Sequence, residues 1–309
     1  MKNMEIFATK PEWLPDNSLS LAGFGYWCAI GCDAPQRGGH KLYFDPRLHG
    51  ESGARALLAD IRKVNADRGA SLVRLDDFLR IQDTVTAPGF EPDMAPAILQ
   101  IRSAGHGDLQ GKAYFRPRRR SGIGLRVAAG QVARLVASSE GPERARAVLE
   151  AILARDAGRP LFYIAISWRP DLEIETYHDA QATGEGAWDA TQIGELAAQL
   201  ALSEGLSRKA ESIVEIAMRE GFACRHLSCD LLGGDGGLSL FLDAPEGSGR
   251  IAFSQALRAL GLTDDPGHCF DQVPESMVPF MIGIKLPDQG RGSARFLVEF
   301  AHPAWSACV

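Results

Sequence analysis

Helical segments in this chain alternate with pairs of strands joined by short loops, and that rhythm constrains the fold more than any other feature. The predicted strands are runs of β-branched, aromatic and aliphatic residues set in pairs around turn residues. Leu161–Ser167 and Leu172–His178 flank Trp168–Asp171, Ala223–Asp230 and Leu238–Asp243 flank the glycine-rich Gly233–Gly237, and Val278–Leu286 and Ala294–Ala301 flank Pro287–Gly292. Ala97–Arg102 and Lys112–Arg118 enclose a loop holding Gly105 and Gly107, and Leu21–Ile30 with Lys41–Phe44 make a further pair. Between the pairs, Glu51–Asn65 carries Leu57, Leu58, Ile61 and Val64 at helical spacing, and Pro142–Ala157 places Val148, Leu149, Ile152 and Leu153 on one face. Thr191–Glu220 reads as one or two helices broken near Gly205, with Ser207 as a cap for the second, and Ile251–Leu260 is a shorter helix ended by Gly261.

Short loops join antiparallel partners, because a parallel pair needs a longer crossover. The hairpins therefore predict an α+β fold of about ten antiparallel strands, closed into a barrel that abolishes its edges, with the helices outside. Length alone, 309 residues, suggests about two domains. No linker or change of composition marks the midpoint, so residues 1–309 read as one barrel domain, with the first 20 or so peripheral.

A formal charge of −6 argues against a chain held to nucleic acid by its overall charge. No apolar run approaches the roughly 18 residues of a membrane helix, and Met1–Pro11 lacks the apolar stretch of a signal peptide. Cys28, Cys32, Cys224, Cys229, Cys269 and Cys308 form no C-x2-C pair, and His226 shares a predicted strand with Cys224 and Cys229. Buried reduced thiols in a cytoplasmic protein are the expected reading.

Alternation along the strands divides inward from outward residues. Lys112, Tyr114, Arg116 and Arg118 share one face of their strand, and Ala113, Phe115 and Pro117 the other. On the next hairpin Glu173, Glu175 and Tyr177 alternate with Leu172, Ile174, Thr176 and His178. If the less polar sets pack on the helices, the polar sets line a lumen wide enough for a ligand. Arg102, Lys112, Arg116 and Arg118 aimed into that lumen make an anion site for which diphosphate is a natural guest; the alternative is a solvated strand edge. Tyr114 and Tyr177 stand on the same faces, where aromatic rings shield a carbocation through their π-faces. Asp76-Asp77 has Arg80 where a third acid would complete a magnesium motif, and the Gly233–Gly237 run lacks the Lys-Ser/Thr of a phosphate loop. No G-x-S-x-G or HExxH is present.

The helix–hairpin plan resembles that of the ABBA prenyltransferases, and within them the cyanobactin-type peptide prenyltransferases. Val278-Pro279-Phe280-Met281-Ile282 through Gly290, then Ala294–Phe300, is similar to their final hairpin, which begins Pro-Tyr-Met-Trp; Leu172–Tyr177 resembles their Glu-Ile-Glu-Ile-Tyr strand, and Lys112–Arg118 their Lys-x-His-x-Arg-x-Lys strand. Lys41–Phe44 and Leu75–Ile81 match in order, so the likeness spans most of residues 20–302. The resemblance implies transfer of a prenyl group from an allylic diphosphate to a ribosomal, often cyclic, peptide, with magnesium carried on the diphosphate. It implies that Lys112, Arg116 and Arg118 hold the diphosphate, helped by Arg102 and Lys41, that Tyr177 shields the cation, and that Tyr114 stands where the family has His. Ile282, Ser228, Tyr43 and Phe280 would line the prenyl pocket. With Ile282 in place of Trp and Ser228 at a commonly bulky position, a geranyl or farnesyl donor is expected over dimethylallyl. The family often places the acceptor's base, a Glu, in the first strand; residues 17–50 contain none. An enzyme of the same fold acting on a small aromatic molecule, and a non-catalytic ligand-binding barrel, are the alternatives.

Overall fold

Apolar outward faces on paired strands require helices to cover them, and the elements follow that demand. A computed structural model describes residues 28–31, 40–44, 80–81, 83–84, 97–103, 109–117, 123–156, 160–169, 171–180, 186–233, 237–271, 273, 275, 277–287 and 294–301. The strands are β1 (Cys28–Gly31), β2 (His40–Phe44), β3 (Ala97–Ser103), β4 (Leu109–Phe115), β5 (Leu161–Arg169), β6 (Asp171–Asp179), β7 (Ala223–Leu232), β8 (Leu238–Asp243), β9 (Val278–Leu286) and β10 (Arg295–Ala301). The helices are α1 (Ile123–Glu140) and α2 (Pro142–Asp156) between β4 and β5, α3 (Ala190–Gln199) and α4 (Glu204–Arg219) between β6 and β7, and α5 (Arg250–Ala259) and α6 (Gly267–Phe270) between β8 and β9. The helix expected over Glu51–Asn65 and residues Asp76, Asp77 and Arg118 lie outside the described residues.

Among the described residues every strand pairing is antiparallel. β3 through β10 pair in chain order into a curled sheet. β2 joins β3, and β1 pairs with β2 on one side and β10 on the other. The hydrogen-bonded order is thus β1-β10-β9-β8-β7-β6-β5-β4-β3-β2.

Two apolar layers lie between sheet and helices. Ala128, Val132, Leu135 and Val136 of α1 and Val148 and Ile152 of α2 pack on Phe115, Ile164, Ile166 and Ile174. Leu196, Ala210, Val214, Phe253 and Leu257 of α3, α4 and α5 pack on Leu227, Leu240, Leu242, Ile284 and Val298. Arg155, in the last turn of α2, ties this layer to the sheet by donating to Thr176 Oγ1 at 3.3 Å and to the Asp230 carbonyl at 3.4 Å.

Two helical details depart from the sequence pattern. The break within Thr191–Glu220 falls at residues 200–203, and Ser203, not Ser207, caps α4 by accepting from the Leu206 N–H at 3.3 Å. Ser207 lies inside the helix and donates to Glu211 Oε1 at 2.8 Å. Gly205 is tolerated because it falls in the first turn, where orphan N–H groups, not side-chain packing, govern stability. Asp189 starts α3 with a reciprocal capping box to Gln192. The second departure is α1, the longest helix described, which the pattern does not announce: Gly124 and Gly130 interrupt it, and Gly124, Ala128, Ala129 and Gln131, which carry little apolar signal, share its buried face with Val132, Leu135 and Val136.

At the end of β7, Gly233 has φ +69, and a Cβ there would lie 2.2 Å from the Leu172 carbonyl oxygen. Backbone cannot yield as a flexible side chain does, and a non-glycine residue is strained at this φ. Gly233→Ala is expected to lower the free energy of unfolding by more than about 1 kcal/mol, measured by chemical denaturation.

Candidate active site

The inner face of the sheet collects what the outer face excludes. On β4, Ala113 and Phe115 go to the helix side, so Lys112, Tyr114 and Arg116 take the inner side. On β6, Leu172 and Ile174 go outward, and Glu173, Glu175, Tyr177 and Asp179 stand opposite them. Irregular register in β5 between Leu161 and Tyr163 brings both Phe162 and Tyr163 into the inner cluster. Ile98, Ala165 and Tyr177 complete that cluster, with Tyr114, Phe241, Phe280 and Leu297 packed on it.

At its centre is a buried cation. Lys112 Nζ lies 2.7 Å from Glu175 Oε2 and donates to the Tyr177 hydroxyl at 3.2 Å. The Tyr177 hydroxyl donates to the same Oε2 at 2.7 Å. The ammonium also faces aromatic rings, 5.1 Å from the Tyr114 centroid and 5.5 Å from that of Tyr177. Tyr114 stands edge-on to Tyr163 at 6.1 Å and to Tyr177 at 5.6 Å, and Phe241 lies 5.8 Å from Tyr177. The Tyr114 hydroxyl is fixed by donating to Gln100 Oε1 at 2.5 Å. The result is an aromatic cage around a positive charge, in which attraction to the ring quadrupoles is strengthened by desolvation. The ion pair survives burial because Tyr177 adds a hydrogen bond to the carboxylate; a lone charge here would be strongly destabilising.

Two further charged groups flank the cage. Lys285 Nζ is 3.4 Å from Asp230 Oδ2, which also accepts from the Gly237 N–H at 3.2 Å. At another point the Arg116 guanidinium lies 4.6 Å from the Phe162 centroid, and Phe162 stacks on His226 at 5.3 Å with planes 7° apart. His226 Nδ1 is 3.6 Å from Asp179 Oδ1, and Arg225 Nε is 3.6 Å from Asp243 Oδ2. Burial holds the His226 pKa below its ordinary value against the opposing charge of Asp179, which favours the neutral ring at pH 7. Burial likewise pushes the Asp243 carboxyl up to about 6, with Arg225 opposing and Asp179 adding to the rise.

The expected site residues divide accordingly. Tyr114, Tyr177 and Phe280 join the inner aromatic cluster, and Ser228 stands opposite Tyr177 and Ser239 in the register. Lys112 and Arg116 both face inward, but four residues of strand, about 13 Å, separate them. Lys112 belongs to the cage and Arg116 to the Phe162–His226 stack. Lys41 and Arg102 occupy paired positions across β2 and β3, and Tyr43 stands opposite Gln100.

Ile282 does not line the inner face, contrary to expectation. It pairs with Leu242 and is buried in the layer beneath the helices. An irregularity in the β9–β10 register decides this: Phe280 is an extra residue between Pro279 and Met281, the alternation reverses there, and Gly283, paired with Phe241 and Leu297, takes the inward position. The glycine opens no space: a Cβ there would already lie 3.0 Å from Leu297 Cδ1 and 3.5 Å from Phe241 Cδ1. The physical basis for expecting a longer donor is therefore absent at this position.

Alternation placed Glu175 on the polar face without giving it a role, and nothing in the sequence marked Tyr163, Phe162 or His226 as members of the inner face. Cys224, Cys229 and Cys269 are buried free thiols, and burial pushes the first two up to about 12. Cys224 and Cys229 lie in the outer layer, so they share no metal set with inward His226. Among the described residues no group of three or more His, Cys, Asp or Glu stands together as a metal site, and no helix is long and apolar enough to cross a membrane.

No family model and no curated protein sequence matches the chain. Solved structures do. The chain is similar to 5-dimethylallyl tryptophan synthase from Streptomyces coelicolor, in complex with DMASPP and Trp, at 14% identity and TM-score 0.58 over 94% of this chain and 82% of that one. Similarity to 6-dimethylallyltryptophan synthase from Micromonospora olivasterospora, also with DMASPP and Trp, covers 96% and 86% at 14% identity and TM-score 0.59. AnaPT from Neosartorya fischeri matches over 94% and 81% at 13% identity and TM-score 0.58. At these identities the likeness establishes a shared fold, that of the expected prenyltransferase architecture.

The raised pKa of Asp243 has a stability consequence. Between its ordinary value near 3.8 and about 6, the folded state holds more protons at this group than the unfolded state. Its contribution to stability is therefore full below pH 4 and is lost as pH rises through 6. In thermal unfolding from pH 4 to pH 7, Asp243→Asn is expected to gain on the wild type as pH rises, by up to about 3 kcal/mol.

Proposed function

We propose that this protein transfers an isoprenoid group from an allylic diphosphate to an aromatic acceptor. The observation that carries the reading is the tyrosine cage, which already holds a positive charge against two ring faces. Ionisation of an allylic diphosphate breaks the C–O bond and creates a cation that must be stabilised and kept from water. Tyr114, Tyr163, Tyr177 and Phe241 supply π-faces and exclude solvent, and the ring of strands completed through β1 and β2 forms the closed chamber around them. Lys112 and Arg116, with Lys41, Arg102 and Arg118 as helpers, counter the charge of the departing diphosphate. Magnesium, if used, arrives on the diphosphate and supplies further charge there; the residues described make no resident metal site of their own.

The solved structures that share this fold support the aromatic acceptor, since those named above include complexes with Trp. They favour a small aromatic molecule over the peptide that the motif resemblance suggested. A peptide that presents an aromatic side chain offers the same ring, and the Glu-Ile-Glu-Thr-Tyr run of β6, with Glu173, Glu175 and Tyr177 inward, keeps it as the second reading. For the donor, we propose dimethylallyl diphosphate, because the volume above Gly283 is taken by Leu297 and Phe241.

Purified protein is to be incubated with dimethylallyl, geranyl and farnesyl diphosphates against tryptophan, tyrosine, indole and short peptides containing them, with diphosphate release and product mass read together. The expected result is prenylated aromatic product with dimethylallyl diphosphate as the fastest donor. Absence of diphosphate release with every donor would refute the reading in favour of a non-catalytic barrel. Leu297→Ala, which opens space beside Gly283, is expected to shift the geranyl-to-dimethylallyl ratio of kcat/KM upward about tenfold, measured under the same conditions.

A further inference from the structure

The transfer leaves a proton to be removed, and the first strand region, where a Glu was expected, holds none: over residues 17–50 the acids are Asp33 and Asp45. We propose that Glu175 is the proton acceptor of the reaction, an inference that rests on the function proposed above. Among the described residues, Glu175 is the carboxylate that touches the cage. Its Oε2 lies 2.7 Å from Lys112 Nζ and accepts from Tyr177 at 2.7 Å, and it is buried with them. Among the described residues the other inward carboxylates are placed differently: Glu173 accepts from the Ser167 hydroxyl at 3.5 Å, Asp230 is bound to Lys285, and Asp179 and Asp243 belong to the group around His226 and Arg225. Glu299 stands on β10 opposite Met281 and Ala29. Lys112 as an ammonium can only donate, and Tyr177 already donates its proton to Glu175.

The step balances as follows. The ring π-electrons of the acceptor form a C–C bond to the allyl cation, and the C–O electron pair of the donor has left with the diphosphate. The ring then carries the positive charge and a hydrogen on the attacked carbon. That C–H pair returns to the ring, and the proton passes to Glu175, which becomes a neutral acid. A ring-protonated cation is a far stronger acid than any carboxylic acid, so the ion pair with Lys112 does not prevent the transfer; position matters more than basicity. Protonation also cancels the partner charge of Lys112 at the moment when diphosphate is present to receive it. One buried pair thus holds Lys112 in the empty cage and frees it during turnover.

The test uses full-length protein with dimethylallyl diphosphate and the best acceptor of the panel. In Glu175→Gln the amide keeps an oxygen for Lys112 and Tyr177 but cannot take the proton. The fraction of released diphosphate recovered as prenylated product is expected to fall tenfold or more. A variant that keeps wild-type coupling overturns the inference, as does an equal loss of diphosphate release and product, which would mean that Glu175 serves only to hold Lys112. Should Glu175→Gln fail to fold, Glu175→Asp with ring-deuterated acceptor decides: withdrawal of the carboxylate should expose a primary isotope effect on product formation, and its absence overturns the inference. A wild-type protein that releases no diphosphate refutes the proposed function itself, a result distinct from coupled turnover in the variant.

Discussion

Side-chain alternation on an antiparallel strand governs nearly everything else in this protein. A sheet residue can face the helices or the interior space, and the choice flips at every step along the chain. Aliphatic residues such as Ile164, Ile166, Leu240, Leu242 and Ile284 take the helix side, where two apolar layers bury them. Charged and aromatic residues are left on the opposite side, facing one another across the sheet's concave surface.

Such a concentration of polar groups is tolerable only if they satisfy one another. Lys112 meets Glu175 and Lys285 meets Asp230, while Arg225 and the neutral His226 stand 3.6 Å from the carboxylates of Asp243 and Asp179. The rings do comparable work for Lys112 and Arg116, which lie over Tyr114 and Phe162. An acidic chain with a formal charge of −6 can therefore keep Lys112 and Lys285 on its inner face, each with a carboxylate that holds it in place. Preorganised charge of this kind is what a reaction passing through a cation and an anionic leaving group requires, because the surroundings need not rearrange as charge develops.

The shared fold at 12–14% identity follows from the same rule. Alternation asks for a kind of residue at each position, not for a particular one. Many sequences meet that demand on the helix side, where volume is what matters.

Pattern alone determined the hairpins, their antiparallel pairing, the order of helices between them and the division of β4 and β6 into two faces. These are local properties, set by period and by turn residues. Short-range pattern failed where the deciding forces were not local. The glycine, alanines and glutamine on the buried face of α1 gain their meaning only when that face meets β4 and β5, and Ser203 rather than Ser207 is the cap because α3 ends at Gln199 and α4 begins at Glu204. Ile282 was misassigned because a strand's face depends on its register with neighbouring strands, and one residue of offset reverses it. The cage itself was beyond the sequence's reach: Lys112 and Glu175 are 63 positions apart, and only folding β4 and β6 on either side of β5 brings their charges to 2.7 Å. The sequence determined which residues face inward, and the tertiary structure decided which of them touch, because contact across strands depends on register and closure that no local spacing encodes.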